Sequence, residues 1–301
     1  MTPPLTLLDG GMGQELVRRH RERHGRAPTP LWSTEVLANA PRDVVDLHAD
    51  YIGAGADVIT MATYTVTPQR LERDGLAGQF ETLQRVGARC ALDAREASGR
   101  AEVRIAACLP PLVASYRADV QPEPSIARRT YRSIVACQRE ASDLMLCETM
   151  SSLQEARIAA EAALSSDLPV WVALTIRDDA PSGTVPTLRG GNSLQGAIEA
   201  LESLGVHAVL LNCSTPEAID AALPVLAGTR LPFGVYANAF RSVIDLEPGG
   251  TVERLRRRDD LGPEGYARAA LRWREAGASI IGGCCETTPA HVAALLERLP
   301  A

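Results

Sequence analysis

Eight times along the 301 residues, a short run rich in Val, Ile and Leu is followed by a stretch with helical spacing. The runs occupy residues 5–9, 57–63, 103–109, 143–148, 170–175, 207–213, 233–238 and 279–284. They are nearly continuous in apolar residues, the pattern of strands covered on both faces. Between them lie segments such as "SIARRTYRSIVACQREAS" and "SSLQEARIAAEAAL", and the first such segment, "PRDVVDLHADYIGAG", begins only at residue 41. Strands buried on both faces and separated by helices make a parallel α/β sheet, and eight such units in a chain of this length fit a (β/α)8 TIM barrel. A doubly wound sheet is the alternative. It would offer a Gly-rich phosphate loop after its first strand, and "LLDGGMGQEL" has only a partial G-x-G with no third glycine at the required offset. No internal repeat, low-complexity tract or linker is visible, so one barrel domain is expected over residues 1–301.

A barrel builds its site from the loops at the C-terminal ends of its strands. Here the loops after the third, fifth and seventh runs are the long ones. Polar residues also gather at these ends. Asp9 closes the first run, Thr63 and Tyr64 the second, Glu148 the fourth, Cys213 the sixth, Asn238 the seventh, and Cys284 with Cys285 the eighth.

Composition removes several chemistries. All 31 basic residues are arginine, so Schiff-base aldolases, pyridoxal phosphate enzymes and P-loop nucleotide sites lack the lysine they need. The net charge of -6 is spread through the chain, with a basic cluster only in "RLRRRDD", and no nucleic-acid partner is expected. No apolar run approaches the ~20 residues of a membrane span, and "MTPPLTLLDG" has neither the basic nor the apolar region of a signal peptide. A cytoplasmic protein without a membrane partner is the expectation. Seven irregularly spaced cysteines favour free thiols or metal ligands over a disulfide framework.

Cys284 and Cys285 are poor disulfide partners for each other, because adjacent Cα atoms stand about 3.8 Å apart and an unstrained bridge wants roughly 4.4 to 6.8 Å. A metal is the better use of the pair. Strands six and eight are separated by one strand, about 9 to 10 Å, and a cysteine reaches roughly 5 Å from its Cα to an ion bonded at about 2.3 Å. Cys213, Cys284 and Cys285 can therefore share one ion held from both sides. Three sulfurs leave a fourth tetrahedral position open, the pattern of catalytic zinc, although Cu(I) or Fe–S also accept thiolates. The plain alternative is three ordinary buried cysteines, which is how Cys90, Cys108, Cys137 and Cys147 are read.

The segments "LLDGGMGQEL", "ADVITMATYTVTP", "DLMLCET", "LLNCS" and "GASIIGGCCETTPAHVAAL" resemble, in order and over nearly the whole chain, the motifs of the homocysteine S-methyltransferases. The resemblance implies a Zn2+-dependent barrel in which Cys213, Cys284 and Cys285 hold the metal and the thiol of homocysteine takes the open position. It also implies that Asp9, the backbone of Gly10 and Gly11, and Glu148 receive the amino-acid end of homocysteine, with Thr63 close by. A carboxylate pairs with an α-ammonium, and a Gly-Gly turn lets an α-carboxylate approach backbone N–H groups. Trp32, in "TPLWSTEV", is a candidate to face a cationic methyl donor, since a ring face attracts an onium group, and plain packing explains it equally well. Tyr64 and Tyr236 carry the same ambiguity, and Asn238 is a further candidate contact.

The implied reaction is methyl transfer from an onium donor (S-methylmethionine, S-adenosylmethionine or a betaine-like compound) to homocysteine, giving methionine. Another thiol or a selenol such as selenocysteine is the runner-up acceptor, and a non-catalytic zinc-binding barrel is the alternative of another class. The chain departs from the family pattern at "YANAF" (residues 236–240) and "ACLPPLVASY" (107–116), and Thr149 stands where a tyrosine ligand would follow Glu148. These departures surround the donor side. A chain ending at Ala301 lacks the C-terminal extension of betaine-using relatives, which favours a small sulfonium donor.

Overall fold

Each apolar run forms a strand: β1 (Thr6–Leu7), β2 (Val58–Thr60), β3 (Arg104–Leu109), β4 (Leu144–Met150), β5 (Val170–Leu174), β6 (Ala208–Asn212), β7 (Phe233–Tyr236) and β8 (Ile280–Ile281). The computed structural model describes residues 3–25, 33–179, 183–243 and 255–300. All neighbouring strands pair in parallel, in the order β1, β8, β7, β6, β5, β4, β3, β2. The two ends of that order meet through a bridge between Leu8 and Val58, the Asp57 N–H donating to Leu7 O (2.8 Å) and the Asp9 N–H to Val58 O (3.0 Å). The sheet is thereby a nearly closed (β/α)8 barrel, as the alternation of runs and helices predicts, and not a doubly wound sheet.

Around it lie α1 (Met12–His24), α2 (Ser33–Asn39), α3 (Pro41–Gly53), α4 (Pro68–Arg73), α5 (Phe80–Ser98), α6 (Pro124–Gln138), α7 (Leu153–Leu164), α8 (Leu194–Leu204), α9 (Pro216–Leu226), α10 (Pro263–Glu275) and α11 (Pro289–Arg298). Several begin at a threonine or serine whose hydroxyl accepts the N–H three residues on, at Thr67, Ser152, Ser193 and Thr215. Such a cap is worth about 1 kcal/mol. α1, α2 and α4 were not among the helical segments expected. α1 buries only Glu15, Leu16 and Val17 and is laced by pairing of Arg18 (2.5 Å) and Arg19 (2.8 Å) to Glu15, so its apolar stripe is too narrow to read from periodicity.

Strand residues alternate between two cores. Leu8, Val58, Ala106, Leu144, Leu146, Trp171, Leu210 and Ile280 fill the barrel interior. Ile59, Ile105, Val172, Leu211 and Ile281 face the helices and join the larger apolar layer there. Each large aliphatic side chain taken fully out of water stabilises the fold by about 1.5–3 kcal/mol. Among the described residues no helix is long and apolar enough to cross a membrane.

The strands are shorter than the runs that announce them. Asp9, Cys213, Asn238 and Cys284 lie just past the last paired residue of their strands, while Glu148 lies within β4. Backbone at these exits is unusual: Tyr116, Thr149, Cys213 and Glu286 all have positive φ, at 65°, 60°, 48° and 65°. Non-glycine residues adopt that region at a cost of roughly 1–3 kcal/mol each, and here it clusters where the strands end. Thr149 is secured in it by Asn212, whose Oδ1 accepts the Thr149 N–H (3.0 Å) and whose Nδ2 donates to Thr149 Oγ1 (2.8 Å).

Candidate metal and substrate site

A cavity of about 390 Å3 opens at the strand-exit face, and its lining includes Asp9, Gly10, Gly11, Glu148, Cys213, Cys284 and Cys285. The three sulfurs lie within 4.8 Å of one another. What brings them together is the exit of β7. The Cys213 N–H donates to Tyr236 O (3.1 Å), the Cys284 N–H to Ala237 O (3.0 Å), and Ala239 N–H to Cys285 O (3.0 Å), so the segment "YANAF" brackets both cysteine-bearing loops.

The sequence favours free thiols or metal ligands over disulfides, and here the structure differs in one pair: Cys213 and Cys284 are joined in a disulfide, while Cys285 is free. The physical reason is the convergence itself, which sets the two Cα atoms 5.7 Å apart, inside the span of a bridge. The vicinal pair is not bonded, as its geometry requires. A bridged pair has no thiolate to offer, so any metal-binding form is the reduced one. The donor set then fits zinc. Tetrahedral Zn–S bonds of about 2.3 Å place sulfurs about 3.8 Å apart, and Cys213 Sγ and Cys285 Sγ already stand at 3.7 Å. Burial pushes the Cys285 thiol up to about 12, and the Tyr116 hydroxyl offsets this only in part. Without a cation beside it, that sulfur stays protonated.

The second feature of the cavity is a pair of buried carboxyl groups. Burial, with the Glu148 charge adding to it, pushes Asp9 up to about 8, although the Thr60 N–H donates to its Oδ2 at 2.7 Å. Burial likewise raises Glu148 to about 7, with partial relief from the Cys108 thiol, which donates to its Oε1 at 3.0 Å. Neither has an arginine or histidine within ion-pairing distance among the described residues. Two acidic groups in one cavity with no cation between them could pair with a positively charged group.

The expected contacts divide. Gly10 and Gly11 line the cavity, but their lack of side chains serves packing: a Cβ on Gly11 would stand 2.6 Å from Cys284 O, and one on Gly10 2.8 Å from Thr287 Oγ1. The Gly11 N–H already donates to Thr287 O (3.0 Å) and Thr287 Oγ1 (3.1 Å), so it is not the free donor expected for a carboxylate. Thr63 turns away from the cavity and accepts from Gln138 Nε2 at 3.1 Å, because β2 ends at Thr60 and the chain has already left the barrel wall. Thr60, Met61 and Ala62 line the cavity in its place. Asn238 is fully buried, its Oδ1 accepting the Phe240 N–H (3.1 Å) and its N–H donating to Ser214 O (3.1 Å), so it tightens the β7 bracket rather than facing the cavity. Trp32 lies outside the described residues.

Tyr64 and Tyr236 both line the cavity. Tyr64 shares a hydrogen bond with Ser115 Oγ at 2.8 Å, and the Tyr236 hydroxyl is buried with no hydrogen-bond partner among the described residues. Ser115 and Tyr116 come from "ACLPPLVASY", so the segment that departs from the family pattern does shape this wall. The reading of Cys108 as an inert strand residue missed its contact with Glu148, that of the loops missed Arg70, and Tyr116 was marked only through its segment. Only three-dimensional placement marks those residues, since no spacing in the sequence does.

A sequence profile described as homocysteine S-methyltransferase matches residues 6–299. The homocysteine S-methyltransferase of Escherichia coli K12 is 31% identical, the match spanning 98% of this chain and 95% of that protein. Homocysteine S-methyltransferase 3 of Arabidopsis thaliana is 30% identical over 97% and 89%, and the selenocysteine Se-methyltransferase of Brassica oleracea var. italica 29% over 97% and 88%. Among solved structures, the metallated form of the E. coli homocysteine methyltransferase MmuM superposes with a TM-score of 0.80 at 29% identity, covering 98% of this chain and 96% of that one. Its oxidized form gives 0.78 at 30% identity, with the same coverage. This chain belongs to the homocysteine S-methyltransferase family.

Proposed function

We propose that the protein transfers a methyl group from an onium donor to the thiol of homocysteine, giving methionine, with zinc held by Cys213, Cys284 and Cys285. The observation that carries this reading is the cation-free carboxyl pair, Asp9 and Glu148, in the same cavity as three clustered sulfurs. One end of the cavity suits an ammonium and the other a thiol, and homocysteine carries both on one short chain. A zinc ion on the three sulfurs would supply the open fourth position that keeps the acceptor's sulfur deprotonated at neutral pH.

Asp9 and Glu148 orient the amino-acid end, Thr60 fixes the Asp9 carboxyl, and the Cys108 thiol fixes that of Glu148. Tyr64, Tyr116 and Tyr236 wall the remaining space, where an onium methyl group meets aromatic faces. In the transfer, the acceptor sulfur forms a bond to the methyl carbon as the donor's own bond to that carbon breaks. The donor leaves as a neutral sulfide or amine, so no side chain has to move a proton in this step. A neutral sulfide leaves more readily than a tertiary amine, which favours a sulfonium such as S-methylmethionine over glycine betaine. Because the reaction needs all three thiols reduced, we place the protein in the cytoplasm.

A selenol acceptor is the second reading, favoured by the similarity to a selenocysteine Se-methyltransferase. A non-catalytic zinc store would use the sulfurs but leaves the buried carboxyl pair without a role. The deciding experiment incubates reduced, zinc-loaded protein with homocysteine and, in turn, S-methylmethionine, S-adenosylmethionine, dimethylsulfoniopropionate and glycine betaine, measuring methionine. Methionine from a sulfonium donor supports the reading; none from any donor rejects it.

A further inference from the structure

The Asp9 and Glu148 end of the cavity accounts for a positive charge on the ligand, and the sulfur end for its thiol. An amino acid also carries a carboxylate, and of the two backbone donors expected for it the Gly11 N–H is already engaged by Thr287, which leaves only that of Gly10. Two cations line the cavity without a paired acid among the described residues, Arg70 and Arg73. Arg70, on α4, makes its hydrogen bonds through Nη2 alone, to Pro111 O at 3.1 Å and Ser115 Oγ at 3.5 Å. Its Nε is buried with no hydrogen-bond partner, and no carboxylate lies within ion-pairing distance among the described residues. The guanidinium carbon sits 5.3 Å from the ring centre of Tyr64, which also lines the cavity.

A nearby arginine shows what a satisfied cation looks like here. Arg189 is paired with Asp178 at 2.7 Å, donates through Nε to Thr175 Oγ1 at 3.0 Å, and stacks on Tyr116 at 4.9 Å. Arg73, at the cavity's edge, is exposed and donates to Val113 O at 2.8 Å, so water completes its shell. Arg70 has neither solution. The Arg70 Nη1 makes no hydrogen bond among the described residues and is not enclosed, so a donor is left for a ligand, and a carboxylate matches the two-pronged edge of a guanidinium.

We propose that Arg70 is the carboxylate-binding residue of this cavity, recognising the carboxylate of an amino-acid substrate. The inference deepens the methyl-transfer reading and rests on it for the identity of the substrates. That carboxylate can belong to homocysteine or to a sulfonium amino-acid donor, and the chemistry at Arg70 is the same for both. With Asp9 and Glu148 taking the ammonium and Arg70 the carboxylate, the cavity holds one charge complement for each end of a zwitterion.

The test is a calorimetric titration of reduced, zinc-free protein with L-methionine and with L-methioninamide, which differ only at the carboxyl group. Wild-type protein is expected to bind L-methionine roughly 10-fold or more tightly than the amide, and Arg70→Gln to weaken L-methionine by roughly 10- to 150-fold while leaving the amide unchanged. Arg70→Lys, which keeps the charge, is expected to retain part of the preference and guards against a folding defect. Initial rates with zinc-loaded enzyme then name the source. A KM raised by Arg70→Gln for L-homocysteine assigns the acceptor's carboxylate, and one raised for S-methyl-L-methionine assigns the donor's. Equal binding of the two probes by wild-type protein, binding of neither, or unchanged L-methionine binding by Arg70→Gln would overturn the inference. If Arg70-dependent binding is found but no methyl transfer, the inference stands and the proposed reaction falls.

Discussion

Asp9 and Glu148 differ from surface carboxylates because burial strips their water and no cation replaces it. Their pKa values, about 8 and about 7 against ordinary values near 4, mean that the folded protein binds more protons than the unfolded chain across that interval. The sign follows: these groups support the fold at and below about pH 4, and that support is lost as pH rises through 7 and 8. Ligand-free protein is expected to melt at lower temperature at pH 8.5 than at pH 6. Asp9→Asn, uncharged throughout and still able to accept the Thr60 N–H, is expected to flatten that fall; a fall as steep as wild type in scanning calorimetry would assign it elsewhere. Binding runs the other way, since an ammonium ligand favours the ionised carboxyls. Asp9→Asn and Glu148→Gln should each weaken homocysteine by about 1.5–3 kcal/mol, roughly 10- to 150-fold, and leave zinc affinity nearly unchanged. Unaltered homocysteine affinity in both variants would give the pair a structural role only.

At the scale of elements, the site is an agreement among strand exits. The exits of β1 and β8 interlock through glycines: a Cβ on Gly282 would meet Leu8 Cβ at 2.4 Å, and one on Gly11 would meet Cys284 O at 2.6 Å. Gly11→Ala therefore has to push the Cys284 loop outward. It is expected to cost about 1–3 kcal/mol of stability and to weaken zinc binding, although Gly11 contributes no ligand atom. Zinc affinity equal to wild type in a chelator competition would show that the loop absorbs the methyl group without moving the sulfur. The cysteines and carboxyls were legible because they sit where an apolar run stops, and a run's end is visible in sequence. Thr63 was misplaced for a related reason. The apolar pattern continues to residue 63, but the ladder ends at Thr60, and past that point the pleat no longer decides which way a side chain faces. Ser115 and Tyr116 were legible only as part of the segment 107–116, and Arg70 not at all, since their loops are positioned by contacts such as Arg70 to Pro111 and Tyr64 to Ser115 that pair residues about 40 to 50 positions apart.

For the whole molecule, burial on both faces of eight strands writes the barrel into the sequence eight times over, whereas its closure rests on a few contacts between β1 and β2 around Leu8, Val58 and Asp57. The apolar interior and the apolar layer under the helices both lie below the strand exits that carry the sulfurs. The fold should therefore not depend on the metal, in contrast to small zinc domains whose folding energy is largely the metal's. Reduced protein is expected to bind about one zinc, and Cys213→Ser, Cys284→Ser and Cys285→Ser combined to bind none while keeping the far-UV circular dichroism of the wild type. Oxidation to the Cys213–Cys284 disulfide removes two of three donors, so it should exclude zinc reversibly, with metal content restored by a thiol reductant. Elemental analysis beside circular dichroism separates the cases. Retained zinc in the triple variant would place the metal elsewhere, and loss of helical signal on chelation would mean that the strand exits hold the barrel together rather than resting on it.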